Sequence, residues 1–569
     1  MTKFSYSDYL SQFRYAGNNT VPGLRGDRRR GDNQSDGASE PEDVDPVVCA
    51  IKRGDVETVR NLTASSHWAL KENKDGWIPL HDAACLGQPE CLKTLLRGIY
   101  STVLFFPVYF LEHCRSRLPC CLLCLADSIF CVSAACELEN VDIVNLLLSY
   151  GATVNQRCAQ GWTALHEAVS RNNTEICEIL LRAGAAINPS NTYTIAPLIV
   201  AAQQGQMRAM CYLIEKGADV NIQTCDGVTA LYEASKNGHN EIVALLLTKN
   251  ADANKPTSSG LLPLHIAAQH GHDKIVSLLV SVTSRARLRH SWISPLHLAA
   301  EHNRHTVAAV LLKTGADVNA TLPHSHSIKY DDRRATPLYF AIASGSTKTA
   351  EVLLNAGASL SLDPVSPLLM AVSRGCISSV SLLLERGADV NASIPTCTTA
   401  FPVLVALCLN KLPLLKCLLD NGCDALSCFA CTYGSGPHPA VRGSSIITVG
   451  SNGYAVQNGS MLPRNCSEPP EAITQFCEWI SIPVMSKWTG PIIDLLLEYV
   501  GHVQLCSKLT ELLHSHEEWH IVEKKLLSPR PLLHLCRLRI RTQMGRYRLR
   551  SITSLPLPNR LIRYLSQAD

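Results

Sequence analysis

Three groups of residues in this chain have the types and spacing to be weighed for chemistry. His516-Glu517-Glu518-Trp519-His520 fits H-E-x-x-H, in which two histidines one helical turn apart bind zinc and the glutamate activates water. The continuation does not support a protease: Glu523 and Leu526 occupy the places three and six residues after His520 where a glycine and a third histidine belong. Nor does any acidic residue lie between Glu523 and Asp569 to act as a third ligand of the other zincin type. Cys428, Cys431 and His438 could hold a metal ion, with free thiols in a turn as the alternative. A second cysteine group, Cys120, Cys121, Cys124 and Cys131, is followed by no paired Cys-x-x-Cys. Phosphate-binding glycine loops, nucleophile elbows and kinase motifs are all missing. The expectation is a non-catalytic chain with no metal and no cofactor.

The remaining candidate chemistry is recognition, and it lies at the C-terminus, in Pro529 to Leu565. Leu532, Cys536 and Ile540 fall four apart, which places them on one face of a helix. Arg537, Arg539 and Arg541 are assigned to the opposite face, where they are expected to stay in water. No helix of this stretch covers the apolar stripe, so the stripe calls for a partner groove. About fifteen residues on, Leu555-Pro556-Leu557-Pro558 forms a rigid apolar peg, because each proline fixes its own φ and extends the residue before it. The stretch holds nine arginines and no acidic residue. No aromatic series interleaves them, which argues against nucleic acid.

The elements that must carry this surface repeat. A four-residue phrase with an alanine three positions after its leucine recurs eight times: IPLH with Ala83, TALH with Ala168, APLI with Ala201, TALY with Ala234, LPLH with Ala267, SPLH with Ala299, TPLY with Ala341 and SPLL with Ala371. From Leu165 through Leu198 and Leu231 to Leu264 the period is 33 residues. Threonine or serine caps a first helix, proline takes the position that needs no N–H, and leucine and alanine face the core. The phrase Gly-Ala-Asp-Val-Asn at 217–221, 315–319 and 387–391 ends a second helix on a glycine free to turn left-handed. His81, His166, His265 and His297 are read as hydrogen-bonding residues between repeats. Period and phrase resemble the ankyrin repeat.

Composition agrees with stacked short helices. Apolar residues make up 46% and aromatic residues 6% of 569, and the formal net charge is +3, so no global field points to nucleic acid. Met1-Thr2-Lys3-Phe4 opens no signal sequence, and the 24 cysteines are therefore read as small core residues of a reducing, cytoplasmic compartment. The expected organisation is a disordered tail with an aromatic motif at 1–44, repeats at 45–97 and 134–427, and a foreign, non-repeat stretch at 98–133. A loop at 428–470, a helical connector at 471–528 and the docking element at 529–569 follow. The apolar run at about 99–131 is interrupted by Pro107, Glu112, His113, Arg115, Arg117 and Pro119, short of the roughly eighteen unbroken residues of a membrane span. The surplus finger residues TLPHSHSIKYDDRR, just before Leu338, are read as a possible contact with a partner.

The pattern Leu532-x-x-x-Cys536-x-x-x-Ile540 followed by Leu-Pro-x-Pro resembles the SOCS box. Repeats and box together resemble the ankyrin repeat and SOCS box family, over nearly the whole chain except 98–133 and, thinly, 440–465. The resemblance implies an all-α ankyrin-repeat solenoid followed by a C-terminal helical SOCS box. It further implies a substrate receptor of a ubiquitin ligase: Leu532, Cys536 and Ile540 on elongin C with its partner elongin B, and Leu555, Pro556, Leu557 and Pro558 on cullin-5 with its RING subunit. Filamin-type actin cross-linkers are the implied targets, with a cytoplasmic, cytoskeleton-associated location and neither nucleic acid nor membrane as partner. An ankyrin scaffold without ligase function is the alternative.

Overall fold

The computed structural model describes residues 46–63, 79–105 and 128–438 (except 159, 331, 394–398 and 409), the short segments 448–449, 455–456 and 474–482, and residues 485 and 487–566. Eleven helix pairs occur among them, from Pro46–Arg53 with Val56–Thr63 to Val403–Leu407 with Leu412–Asp420. The chain divides into two compact units, Met1–Ile266 and Ala267–Asp569. The N-terminal tail and its aromatic motif lie outside the described residues, as does 106–127 of the stretch expected to be foreign. The described ends of that stretch are helical, within Pro89–Phe105 and Ser128–Glu137. The helix Ser128–Glu137 packs between the first helices of its neighbours, Pro79–Cys85 and Ala164–Ser170.

The recurring phrase builds the core as its residue types require. Every phrase leucine from Leu80 to Leu368, and every paired alanine from Ala83 to Ala371, is buried. A buried leucine contributes roughly 1.5–3 kcal/mol, and an alanine on the next turn lets neighbouring helices approach. Thr229 and Thr336 cap their helices by accepting from the backbone N–H of Tyr232 at 3.1 Å and Tyr339 at 3.2 Å.

Two polar devices tie one repeat to the next. In Gly-Ala-Asp-Val-Asn the aspartate closes its own turn, Asp219 Oδ1 accepting from Asn221 N–H at 2.9 Å. The asparagine then reaches across: Asn221 Oδ1 accepts from Asp252 N–H at 2.8 Å and its amide donates to Asn250 O at 3.2 Å. Asn319 and Asn391 repeat the step with Ser359 and Asp424. The second device is the phrase histidine. His166 accepts at Nδ1 from the Thr163 cap, 2.9 Å from the hydroxyl, and donates from Nε2 to Ile195 O of the next repeat at 3.0 Å. His297 does the same with Ser294 and Ala335 O, both at 2.8 Å. Burial pulls both imidazoles down to about 4, so they work as neutral linkers. At His265, Nδ1 accepts from Leu262 N–H at 3.1 Å, and His81 is buried.

The long finger before Leu338 folds back on its own unit. Ser327 and Asp332 are buried, Ser327 Oγ donating to Arg333 O at 2.7 Å, and the Arg334 guanidinium pairs with Asp332 and lies over the Tyr330 ring. Among the described residues after the last repeat, the regular structure is helical apart from an antiparallel pairing of Thr448–Val449 with Ala455–Val456 and a bridge of Thr474 with Thr399. Phe401, Phe429, Phe476 and Trp479 form one buried aromatic cluster joining the last repeat to the connector helix Phe476–Ile480. Among the described residues no helix is long and apolar enough to cross a membrane.

Candidate functional site

The C-terminal docking residues lie on the helix Leu532–Met544. Leu532 is 77% exposed, and Leu533, Leu535, Cys536 and Ile540 are exposed with it. The peg follows a 3-10 helix, Arg546–Ser554, with Pro556, Leu557 and Pro558 exposed and Leu555 half-buried. Beneath it Leu549, Ile552 and Leu565 make a small core with Met544 and Ile562. Apolar stripe and peg are therefore separate patches on one folded element.

The arginines correct the expectation of a solvated face. Arg541 is buried, and its guanidinium donates to Leu565 O at 2.9 Å, Leu419 O at 3.3 Å and Asp420 O at 2.8 Å. Leu419 and Asp420 end the last repeat helix, where the negative end of the helix dipole favours a cation. The Tyr499 hydroxyl donates to Asp420 Oδ1 at 2.6 Å, and the Arg541 guanidinium lies over the Tyr499 ring. Burial pushes the Asp420 carboxyl up, opposed by the Tyr499 bond and by Arg541. Arg537 donates to Glu498 O at 3.0 Å and stacks on Tyr564. Arg539 stays exposed, and at about 100° per residue it falls beside Leu532 rather than opposite. A helix pattern separates apolar from polar faces, but here the polar face is the inner one, because it meets backbone carbonyls.

The H-E-x-x-H segment is not a ligand pair. Glu517–Trp519 is a 3-10 turn and His520 starts a new helix, so the two histidines do not share a helical face. His514 and His520 approach Glu523, and His516 packs on Trp519.

The cysteine group at the end of the repeats resolves differently. Cys428 is buried in the 3-10 helix Leu426–Phe429, and burial pushes its thiol well up. Cys431 and His438 instead meet Cys477, from the connector helix, and Cys506, the cap of helix Ser507–His514. Cys431 Sγ lies 3.1 Å from His438 Nε2 and 3.6 Å from Cys477 Sγ, and Cys477 Sγ lies 3.4 Å from His438 Nε2. All four ligand atoms lie within 4.8 Å of one another. A hydrogen bond from Cys477 and one from the Leu509 N–H hold the Cys506 thiol below its usual range against burial, while Cys477 is raised. Sequence reasoning found Cys431 and His438 but not Cys477 and Cys506, which no local spacing marks. Of the other cysteine group, Cys120, Cys121 and Cys124 lie outside the described residues.

Comparison with known families agrees with this architecture. The model for ankyrin repeats (3 copies) matches residues 25–103, 122–191, 198–290, 257–322, 294–363 and 321–394, and the model for the SOCS box matches 528–566. The chain belongs to the ankyrin-repeat proteins, and it ends in a SOCS box. It is similar to ankyrin repeat and SOCS box protein 2 of Homo sapiens, 48% identical over 284 residues, and of Mus musculus, 47% identical over 284 residues. It is also similar to ankyrin repeat and SOCS box protein 14 of Mus musculus, 34% identical over 289 residues. Each of these matches covers 50% of this chain, a shorter reach than the near-complete resemblance expected from the sequence. The matched stretch spans 43% of either protein 2 and 46% of protein 14, less than half the length of these relatives.

Proposed function

We propose that this chain is the substrate-recognition subunit of a ubiquitin ligase assembled on elongin B/C, cullin-5 and a RING subunit. The repeats hold the target, the box holds the transfer machinery, and the receptor itself makes and breaks no bond. Its contribution is proximity, which raises the effective concentration of target lysines near the transferring enzyme. The observation that carries the reading is the exposure of Leu532, Cys536 and Ile540 on a helix whose arginine side is fastened to the last repeat. Leucines held in water on a fixed helix are arranged for a groove in a partner. Filamin-type actin cross-linkers are the proposed targets, held on the repeat surface, which gives the protein a cytoplasmic place of work beside the cytoskeleton.

The test separates the two halves of the box. Leu532→Ala with Cys536→Ala loses elongin and, with it, cullin in immunoprecipitates from one cell lysate. Replacing Leu555, Pro556, Leu557 and Pro558 by alanine keeps elongin and loses cullin-5. Retention of ubiquitylating activity by both variants would leave a scaffold whose last helices are a structural cap. Target capture by a chain ending before Pro529 checks that the repeats alone recognise filamin-type partners.

A further inference from the structure

We propose that Cys431, His438, Cys477 and Cys506 form a structural zinc site that clamps the turn following the last repeat, the connector helix Phe476–Ile480 and the helix Ser507–His514. The three separations of 3.1, 3.4 and 3.6 Å are close to the edges of a tetrahedron around zinc. Zn–S near 2.3 Å and Zn–N near 2.0–2.1 Å require about 3.8 Å between sulfurs and about 3.5 Å between sulfur and nitrogen. A disulfide does not account for them, since bonded sulfurs stand about 2.05 Å apart and Cys431 and Cys477 are 3.6 Å apart. Three thiolates and one imidazole fill four positions and leave none open for water, the composition of a structural rather than a catalytic site.

The imidazole is oriented for the task. His438 Nδ1 lies 3.3 Å from Ser507 Oγ, and that hydroxyl spends its hydrogen on Gly436 O at 3.0 Å. The hydroxyl can therefore only accept from His438, so the proton sits on Nδ1 and the Nε2 lone pair faces Cys431 and Cys477. Metal-ligating histidines are commonly held in this way by a second partner on the far nitrogen. The Ser507 N–H donates to Gly434 O at 3.2 Å, which fixes the turn carrying His438 against the helix that Cys506 caps. Cys477 and Cys506 are buried, and Cys431 and His438 are half-buried, as suits a closed site. The clamp joins three elements spread from 431 to 506, none of which holds more than two of the ligands.

The full chain, purified under reducing conditions without added metal, is expected to carry about one zinc per molecule by plasma mass spectrometry. Exchange into cobalt is expected to give the visible d–d bands and thiolate-to-cobalt charge transfer of a tetrahedral centre with three sulfur ligands and one nitrogen. Cys477→Ser and Cys506→Ser each lose the metal, while Cys428→Ser, in the core just ahead of Cys431, keeps it. Should the ligand variants fail to fold, the unaltered chain decides. Chelation is expected to speed hydrogen exchange about tenfold or more in 431–438, 476–480 and 506–514 while leaving 164–385 unchanged, and added zinc restores it. Absence of stoichiometric metal, an octahedral cobalt spectrum, or a disulfide among the four cysteines in freshly purified protein would overturn the proposal.

Discussion

The Arg541 guanidinium donates to the Asp420 carbonyl oxygen at 2.8 Å across 121 residues of sequence, and this bond seats the C-terminal helix on the end of the repeats. Arg541→Ala removes three charge-assisted hydrogen bonds to Leu565 O, Leu419 O and Asp420 O and is expected to destabilise the seating by about 2–4 kcal/mol. Arg541→Lys recovers only part of this, since an ammonium cannot span three carbonyls as the planar fork does. Hydrogen exchange within 532–566 checks it, and unchanged protection in Arg541→Ala would show the bond to be dispensable.

Leu532→Ala separates docking from capping by stability alone. A side chain 77% exposed contributes little to its own fold, so the free variant is expected to unfold within about 0.5 kcal/mol of the parent. Elongin capture, by contrast, falls about thirtyfold or more if the leucine fills a packed groove. A loss of thermal stability matching the loss of capture would place Leu532 in the core of the chain instead.

Acid is expected to weaken the repeats through His166 and His297. Both titrate near 4 when folded against 6.5 when unfolded, so below pH 6.5 the unfolded chain takes up protons that the folded chain does not. Their stability contribution is complete above pH 6.5 and falls as pH drops towards 4, by on the order of 3 kcal/mol for each histidine. The buried Glu167 and Asp363 carboxyls are pushed up by burial and act in the opposite sense over the carboxylate range. The comparison that isolates histidine is therefore His297→Gln against the parent in urea titrations at about pH 7 and about pH 5. An undiminished loss of stability between those pH values in His297→Gln would assign the acid sensitivity elsewhere.

Gly161 and Gly217 distinguish close approach from backbone strain. Both have positive φ, +80° and +90°, but a Cβ on Gly161 would meet Thr192 N at 2.7 Å and Asn191 Cα at 2.9 Å, whereas Gly217 has open space. Gly217→Ala is expected to cost about 1 kcal/mol, the left-handed penalty alone. Gly161→Ala costs about 1 kcal/mol more, or above that, because the clash is with backbone of the next finger. Equal thermal shifts for the two variants would mean that the finger moves aside without resistance.

The repeats were legible because their signals are local. Cap, proline, leucine and alanine fall within one turn, and the pattern gives the same result at Leu165 and Leu368. The role assigned to His166 and His297 was legible for the same reason, since a cap three residues away holds one nitrogen and only the next repeat can take the other. Arg541 was misplaced because pattern sorts side chains by polarity and cannot show that carbonyls 121 residues away lie within reach. The thiol cluster was half legible. Cys431 and His438 stand close in sequence, and Cys428 seemed their partner by spacing, yet the other two sulfurs arrive from separate helices, Cys477 within one and Cys506 capping the other.

The contacts that seat the C-terminal box reach back to Leu419 and Asp420, the last turn of the final repeat helix. Each asparagine and histidine linker upstream grips only the adjoining repeat. On the proposed division of labour, recognition and coupling are separately heritable: a repeat far from Asp420 can be rewritten, duplicated or lost and the box keeps the same foundation. On that proposal, selection on targets can explore one end of such a gene while leaving the other end under unchanged constraint.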